Sequence, residues 1–204
     1  MSTQMGSVYT PSGFVPKHGL CIDWETSGSD FDGDSSIEYQ GIAFGAAIFK
    51  LDTFEIIDRM KRYIKFNAQK YKWTAVAEKI HGISRDFLIE NGINQEEAAL
   101  DLANFVFSYF GPAPKVMVLG HNVDFDIAFT KQLLTPYEVM FKIHHVKLDT
   151  SVAGLIAFGK YKSDQLFEII GLANRGEHDP LQDVEYTIEL AKSIRLLVNA
   201  ALEG

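Results

Sequence analysis

The sequence predicts an α/β domain in which helices cover a mixed sheet, and three observations carry that expectation. Residues 18–24, 41–51 and 54–66 are apolar, β-rich runs near the start of the chain. Residues 95–109 and the stretch from Asp179 onward repeat apolar side chains at helical spacing. Between them, further short apolar runs alternate with helical stretches, the order of a layered α/β fold. The chain has 204 residues, 47% hydrophobic and 23% charged. That suffices for one domain with a substantial core.

Residues 1–17 are polar, dotted with Gly, Ser and Pro, and without periodicity, so they read as a flexible arm preceding a domain over 18–204. Residues 18–24 lead as a buried strand into the first acids. Residues 26–38, rich in Ser, Gly and Asp, read as a loop. The next two runs, parted by Asp52-Thr53, read as an antiparallel hairpin. Residues 73–81 and 84–90 read as short helices broken at Gly82. In 95–109 the apolar positions Ala98, Leu102, Phe105, Val106 and Tyr109 mark a helix closed by Gly111-Pro112. A strand is expected at 115–119 and a helix capped by Asn122 running through Leu134. A last strand at 145–148 and helices at 151–158 and 163–172 follow. Asp179-Pro180 starts the final helix, with an apolar face at Leu181, Val184, Ile188, Ala191, Ile194 and Val198.

The lone cysteine, Cys21, excludes an internal disulfide and sits in an apolar run, where a buried, inert thiol is expected. No segment is long and apolar enough to cross a membrane. The start lacks the pattern of a signal peptide, so an intracellular, cytoplasmic protein with no membrane partner is expected. The net charge of −8 argues against tight non-specific binding of duplexes, which needs many phosphate-neutralising side chains.

Four acids and one histidine suggest chemistry. Asp23 and Glu25 are two apart on a predicted strand, which puts both carboxylates on one face and Trp24 on the other. Taken alone, the same pair is also what an exposed strand end looks like, and Trp24 reads as core. Asp126 and Asp183 each fall four residues after an expected N-cap, about one turn into a helix, where the helix dipole favours a carboxylate. Plain capping electrostatics would also put them there, and the local sequence does not choose between Asp126 and Asp124. His178 falls in the loop before the last helix, five residues ahead of Asp183. If the fold gathers these groups, four carboxylates need cations, and hard oxygen ligands suit Mg²⁺ or Mn²⁺. A histidine beside them is a candidate base for water, and the set reads as metal-dependent hydrolysis of a phosphodiester.

Five local patterns occur in order over residues 18–198. They are Asp23-Trp24-Glu25-Thr26-Ser27-Gly28, His81-Gly82-Ile83, His121-Asn122-Val123-Asp124-Phe125-Asp126, Leu148-Asp149-Thr150, and His178 through Asp183. In these the chain resembles the DEDDh (DnaQ-like) branch of the 3′–5′ exonucleases, which includes ribonuclease T, oligoribonuclease and the proofreading exonuclease subunits of bacterial polymerases. One such motif is weak, and five together are strong. Pro180 and Leu181 depart from the Ala-Leu of many members, and the acidic loop at 29–38 is unusually long.

The resemblance implies an RNase H-like, five-stranded mixed sheet flanked by helices, and it selects Asp126 over Asp124. It implies two Mg²⁺ or Mn²⁺ ions held by Asp23, Glu25, Asp126 and Asp183, with His178 as the base. It implies single-stranded DNA or RNA as substrate, shortened from the 3′ end to nucleoside 5′-monophosphates. Thr26, His81, Ile83, Asn122 and Phe125 would surround the terminal nucleotide. A homodimer or a polymerase or replication partner is also implied.

Between Arg59 and Trp73 six basic residues occur without an acid, interleaved with aromatics. Lys61, Arg62 and Lys65 could form a nucleic-acid track, or simply discourage edge pairing of an outer strand. The rival function is a catalytically silent binding module on the same fold, since fold alone does not guarantee activity.

Overall fold

The computed structural model describes residues 16–30, 34–172 and 178–203. The arm expected over 1–17 lies outside the described residues except for Pro16 and Lys17. The Lys17 carbonyl accepts from Leu51 N at 3.0 Å, just before the first strand.

The first strand, β1 (His18–Thr26), is the centre of the main sheet. The stretch expected to be all loop ends in one helical turn, α1 (Ser35–Glu38), because Asp34 accepts from Ser36 N at 3.0 Å and caps it. The hairpin forms as β2 (Gly41–Lys50) and β3 (Ile56–Tyr63), antiparallel. Its second strand starts later than the apolar run suggests, because Phe54 turns the chain with φ 58°. Next come α2 (Ala75–His81) and α3 (Arg85–Asn91), capped by Thr74 and Ser84 and separated at Gly82, whose φ of 68° suits glycine. The long α4 (Gln95–Phe110) buries Ala98, Leu102 and Val106, the face its periodicity marked.

The single strand expected at 115–119 is two strands. Both β4 (Lys115–Val116) and β5 (Val118–Gly120) flank Met117, whose carbonyl accepts from Leu20 N at 3.0 Å. α5 (Val123–Leu134) runs into a 3₁₀ turn at Thr135–Tyr137. β6 (Lys142–Ile143), which periodicity did not mark, pairs in parallel with β4 as a separate two-stranded sheet. The last strand, β7 (Leu148–Asp149), sits slightly later than expected. It is followed by α6 (Thr150–Phe158), α7 (Ser163–Ile169) and α8 (Pro180–Glu203).

The main sheet has the order β3-β2-β1-β5-β7. Strand β2 is antiparallel to both neighbours, while β1, β5 and β7 run parallel. Alternation along β1 and β2 divides two cores. Leu20, Ile22, Trp24, Phe44 and Ile48 pack with Leu102 and Val106 of α4 and Phe129 and Leu133 of α5. Cys21, Ala47 and Phe49 face Val184 and Ile188 of α8. Each fully buried residue of Leu, Ile or Phe size contributes about 1.5–3 kcal/mol, which holds both layers to the sheet. Cys21 is buried, as its apolar setting predicts. Toward its end α8 outruns the sheet, so Val198 of the expected apolar face is 52% exposed.

Candidate active site

Strand β1 pairs with β5 at Leu20 and Cys21 and runs on to Thr26, so Asp23 and Glu25 lie beyond that pairing, toward the carboxyl ends of the parallel strands, where open α/β sheets tend to bind ligands. Pairing of Asp23 with Gly45 and of Glu25 with Ala43 sets both acids on the α8 face of the sheet. Trp24 points the other way, packed 4.9 Å from the Phe44 ring, and its Nε1 donates to Thr130 Oγ1 at 3.0 Å. The aromatic residue between the two acids is core, and it anchors β1 to α5.

That anchoring carries Asp126 over the end of the sheet. Trp24 N donates to Asp126 Oδ1 at 3.2 Å, and Asp126 is 2% exposed. Burial pushes its carboxyl well above the ordinary 3.8, and the charge of Asp23 adds to the shift. The rival acid, Asp124, is exposed and pairs with Lys147.

Asn122 does not cap α5. It adopts φ 63°, ψ 53°, and its side chain makes no capping hydrogen bond. Asp149 takes that role from 27 residues away. Its Oδ2 accepts from Val123 N at 3.0 Å and its Oδ1 from Asn122 N at 3.3 Å. The same Oδ1 caps α6 through Ser151 N at 2.8 Å and Ser151 Oγ at 2.6 Å. Burial opposes its charge, but the Ser151 hydroxyl and the three backbone N–H donors outweigh it and lower the carboxyl below its ordinary 3.8. One carboxylate therefore fixes the first turns of two helices, including the turn that carries Asp126.

The third group arrives with α8. Asp179, the expected cap, accepts from Leu181 N at 2.9 Å and Gln182 N at 3.3 Å. A Cβ at Gly45 would collide with the Pro180 carbonyl and with Leu181 N, so this glycine lets the first turn of α8 lie directly on β2. That seat brings Asp183 and His178 to Glu25. Ligand atoms of Glu25, His178 and Asp183 all lie within 4.8 Å of one another, and His178 Nδ1 is 3.5 Å from Asp183 Oδ2. Glu25, Asp126 and Asp183 are buried, and His178 is partly exposed.

Four of the expected substrate residues line two clefts, one of which His178 shares. His81 and Ile83 line one of about 250 Å³ with Lys61, Tyr63 and His178. Burial lowers the His81 pKa, against the opposing pull of the Thr26 backbone and Glu78. Asn122 and Phe125 line the other, of about 400 Å³, with Asp30, Asp34 and Asp124. Thr26 is buried and donates to the Gly28 carbonyl at 2.9 Å. A larger cavity of about 870 Å³ lies apart from the acids, between α6 and α8, lined largely by apolar side chains such as Leu119, Val152, Ile156 and Ile194.

The basic stretch on β3 is split by strand alternation. Lys61 pairs with Asp179 at 2.5 Å and Arg62 with Asp101 of α4 at 2.6 Å. Arg59 is paired with Glu185 of α8 at 2.5 Å, and Lys65 is exposed. Sequence reasoning also passed over Gly45, and it quoted Asp149 as part of a motif without its capping role. A glycine inside an apolar strand was the available signal for the first, and Asp-Thr-Ser before a helix for the second.

A family profile described as RNase_T: Exonuclease matches residues 20–191. Among solved structures, exonuclease I, in a study of how its processivity is achieved, superposes with a TM-score of 0.70 at 22% identity, over 89% of this chain and 41% of that one. The zinc-bound complex of E. coli exonuclease I with single-stranded DNA gives the same values. A moderately thermophilic exonuclease I from Methylocaldum szegediense gives 0.68 at 20% identity, over 87% and 40%. This chain thus spans about two fifths of the length of these proteins. At such identities the likeness shows the fold, a five-stranded mixed sheet flanked by helices. No curated protein is matched by sequence.

Proposed function

The chain belongs to the RNase T family of exonucleases, and on that premise we propose that it is a metal-dependent 3′–5′ exonuclease acting on single-stranded nucleic acid. It would release nucleoside 5′-monophosphates from DNA, RNA or both. The observation that supports this reading most is the approach of Glu25, Asp183 and His178 to within 4.8 Å of one another, with Asp23 two residues before Glu25 on β1 and Asp126 of α5 buried under the charge of Asp23. The single-stranded DNA held by the E. coli exonuclease I structure supports the substrate class.

The donor set fits divalent cations. Asp126 is buried beside Asp23 with its carboxyl raised by burial and by that neighbour's charge, which is the state of a carboxylate lacking a countercharge. Asp23, Glu25, Asp126 and Asp183 would hold two Mg²⁺ or Mn²⁺ ions. Bound there, such ions would acidify water and stabilise charge on the leaving 3′ oxygen.

The chain's own residues supply the rest. His178, at the rim and within 3.5 Å of Asp183, takes a proton from the attacking water at a ring nitrogen. Asp183 keeps the imidazole facing the centre. His81 and Ile83 on one side, and Asn122 and Phe125 on the other, would grip the terminal nucleotide, with Phe125 offering an aromatic wall for a base. Thr26, at the end of β1, would meet the 3′ end. The proposal includes an intracellular setting and assembly as a homodimer or with a replication partner, which sedimentation of the protein alone and with a polymerase would read.

The test uses 5′-labelled single-stranded DNA and RNA of matched sequence with Mg²⁺ or Mn²⁺, beside an Asp23→Ala/Glu25→Ala variant. A ladder shortening from the 3′ end, lost in the variant and on chelation, is expected. A folded protein that binds the strands and leaves both intact would instead support the silent binding module.

A further inference from the structure

We propose that Lys61 is a positioning residue for His178, acting through Asp179, rather than part of a nucleic-acid track; the inference rests on the exonuclease reading above. Lys61 is the cross-strand partner of Gly45. Partners directly opposite in an antiparallel pair point to the same face, so Lys61 emerges beside the place where α8 rests on the sheet. Its Nζ meets Asp179 Oδ2 at 2.5 Å, with the lysine side chain 23% exposed. The ammonium also lies over Tyr63, 4.9 Å from the ring centroid.

Asp179 has both oxygens committed. Oδ2 takes the lysine, and Oδ1 takes Leu181 N and Gln182 N. Its backbone carbonyl accepts from Asp183 N at 2.9 Å. His178 is the next residue back along the chain, so its backbone position is set by how Asp179 is held. The pair thus locks the cap of α8 to β3 on one side and aims the imidazole at Asp183 and Glu25 on the other. Without the ammonium the Asp179 carboxylate would retain only its helix contacts and could turn about the first turn of α8.

A track makes a different claim. It needs charges on one face, free to meet phosphates, yet Lys61 and Arg62 alternate to opposite faces of β3 and each is engaged by an acid. Track residues act on KM and on its salt dependence, because each phosphate contact released is a counterion taken up. A positioning residue acts on kcat.

The experiment measures kcat, KM and the salt dependence of KM for wild type, Lys61→Met, Lys61→Arg, Asp179→Asn and the double variant Lys61→Met/Asp179→Asn, with urea unfolding of each as a check on folding. Lys61→Met should lower kcat roughly tenfold to a hundredfold, the scale of a small misplacement of a reacting group. KM and its salt slope should stay within about twofold. Lys61→Arg should restore much of kcat. Asp179→Asn, which keeps a capping oxygen, should match Lys61→Met, and the double variant should lose no more than either single one. An unchanged kcat in both Lys61→Met and Asp179→Asn, or a flattened salt slope at constant kcat, would overturn the proposal. If wild type degrades no strand, the exonuclease reading fails first. The imidazole NMR signals of His178 then decide the positioning claim, since they should move in Lys61→Met and in Asp179→Asn if it holds and stay in place if it does not.

Discussion

Replacing Asp149 should damage two helices at once, and the loss can be worked from its contacts. Its Oδ1 serves Ser151 N, Ser151 Oγ and Asn122 N, and its Oδ2 serves Val123 N. Losing an N-cap typically costs about 1 kcal/mol, and losing the anion's interaction with a helix dipole about 0.3–1 kcal/mol. Counted for α5 and α6 together, Asp149→Ala should destabilise the protein by about 3 kcal/mol. Asp149→Asn is the sharper probe. An amide keeps the Oδ1 contacts but sets an NH₂ group against Val123 N–H, so roughly 1–2 kcal/mol should go. A cap serving α6 alone would tolerate asparagine with almost no loss, because Asn and Asp cap about equally well.

Urea unfolding followed by far-UV circular dichroism at neutral pH reads both values. The pH dependence has a definite sign. The folded carboxyl lies below the ordinary 3.8, so its stabilisation is complete above that value and is lost as pH falls through the lower folded one. The gap between wild type and Asp149→Asn should therefore be full at neutral pH and close below about pH 4. An Asp149→Asn protein as stable as wild type at neutral pH would refute the double cap.

Gly45→Ala should force α8 off β2, costing about 1–3 kcal/mol of stability. Because Asp183 and His178 ride on that turn, it should also lower kcat roughly a hundredfold; wild-type kcat in a folded variant would contradict the seat assigned to Gly45. Asp126→Asn should raise the unfolding midpoint of chelator-treated protein at neutral pH while abolishing activity. A carboxyl raised by burial binds more protons folded than unfolded, so metal-free stability grows as pH falls through the raised value toward 3.8 and is lowest once the group is charged. A lower midpoint for the variant at neutral pH would count against that charge burial. Cys21, buried with its thiol pushed up by burial and by the nearby Asp23 and Asp126, should ignore a thiol reagent until the protein unfolds. Labelling of native protein within minutes would show the site to be more open than described.

Much of this was written locally in the chain. Period-2 alternation put Asp23 and Glu25 on one face and Trp24 in the core, and first-turn spacing put Asp126 and Asp183 at helix starts. What escaped local reading depends on long-range partners. Asn122 looks like a cap but is spent on the left-handed turn from β5 into α5, so an acid 27 residues on replaces it. Strands β4 and β6 are two residues each, too short to leave a period, and exist only because each completes the other. The basic run left a track and an edge-protecting strand both open, because sequence order says nothing of the acids that α4 and α8 bring to β3.

Anomalous scattering from crystals of the protein grown with Mn²⁺ and a nucleoside 5′-monophosphate tests most directly whether the four carboxylates form the metal centre and His178 serves as its base. Two peaks bonded to oxygens of Asp23, Glu25, Asp126 and Asp183, with no His178 nitrogen within the roughly 2.0–2.3 Å of a metal bond, are expected. A peak bonded to His178 alongside Glu25 and Asp183, or no peak among these acids, would contradict that division of roles.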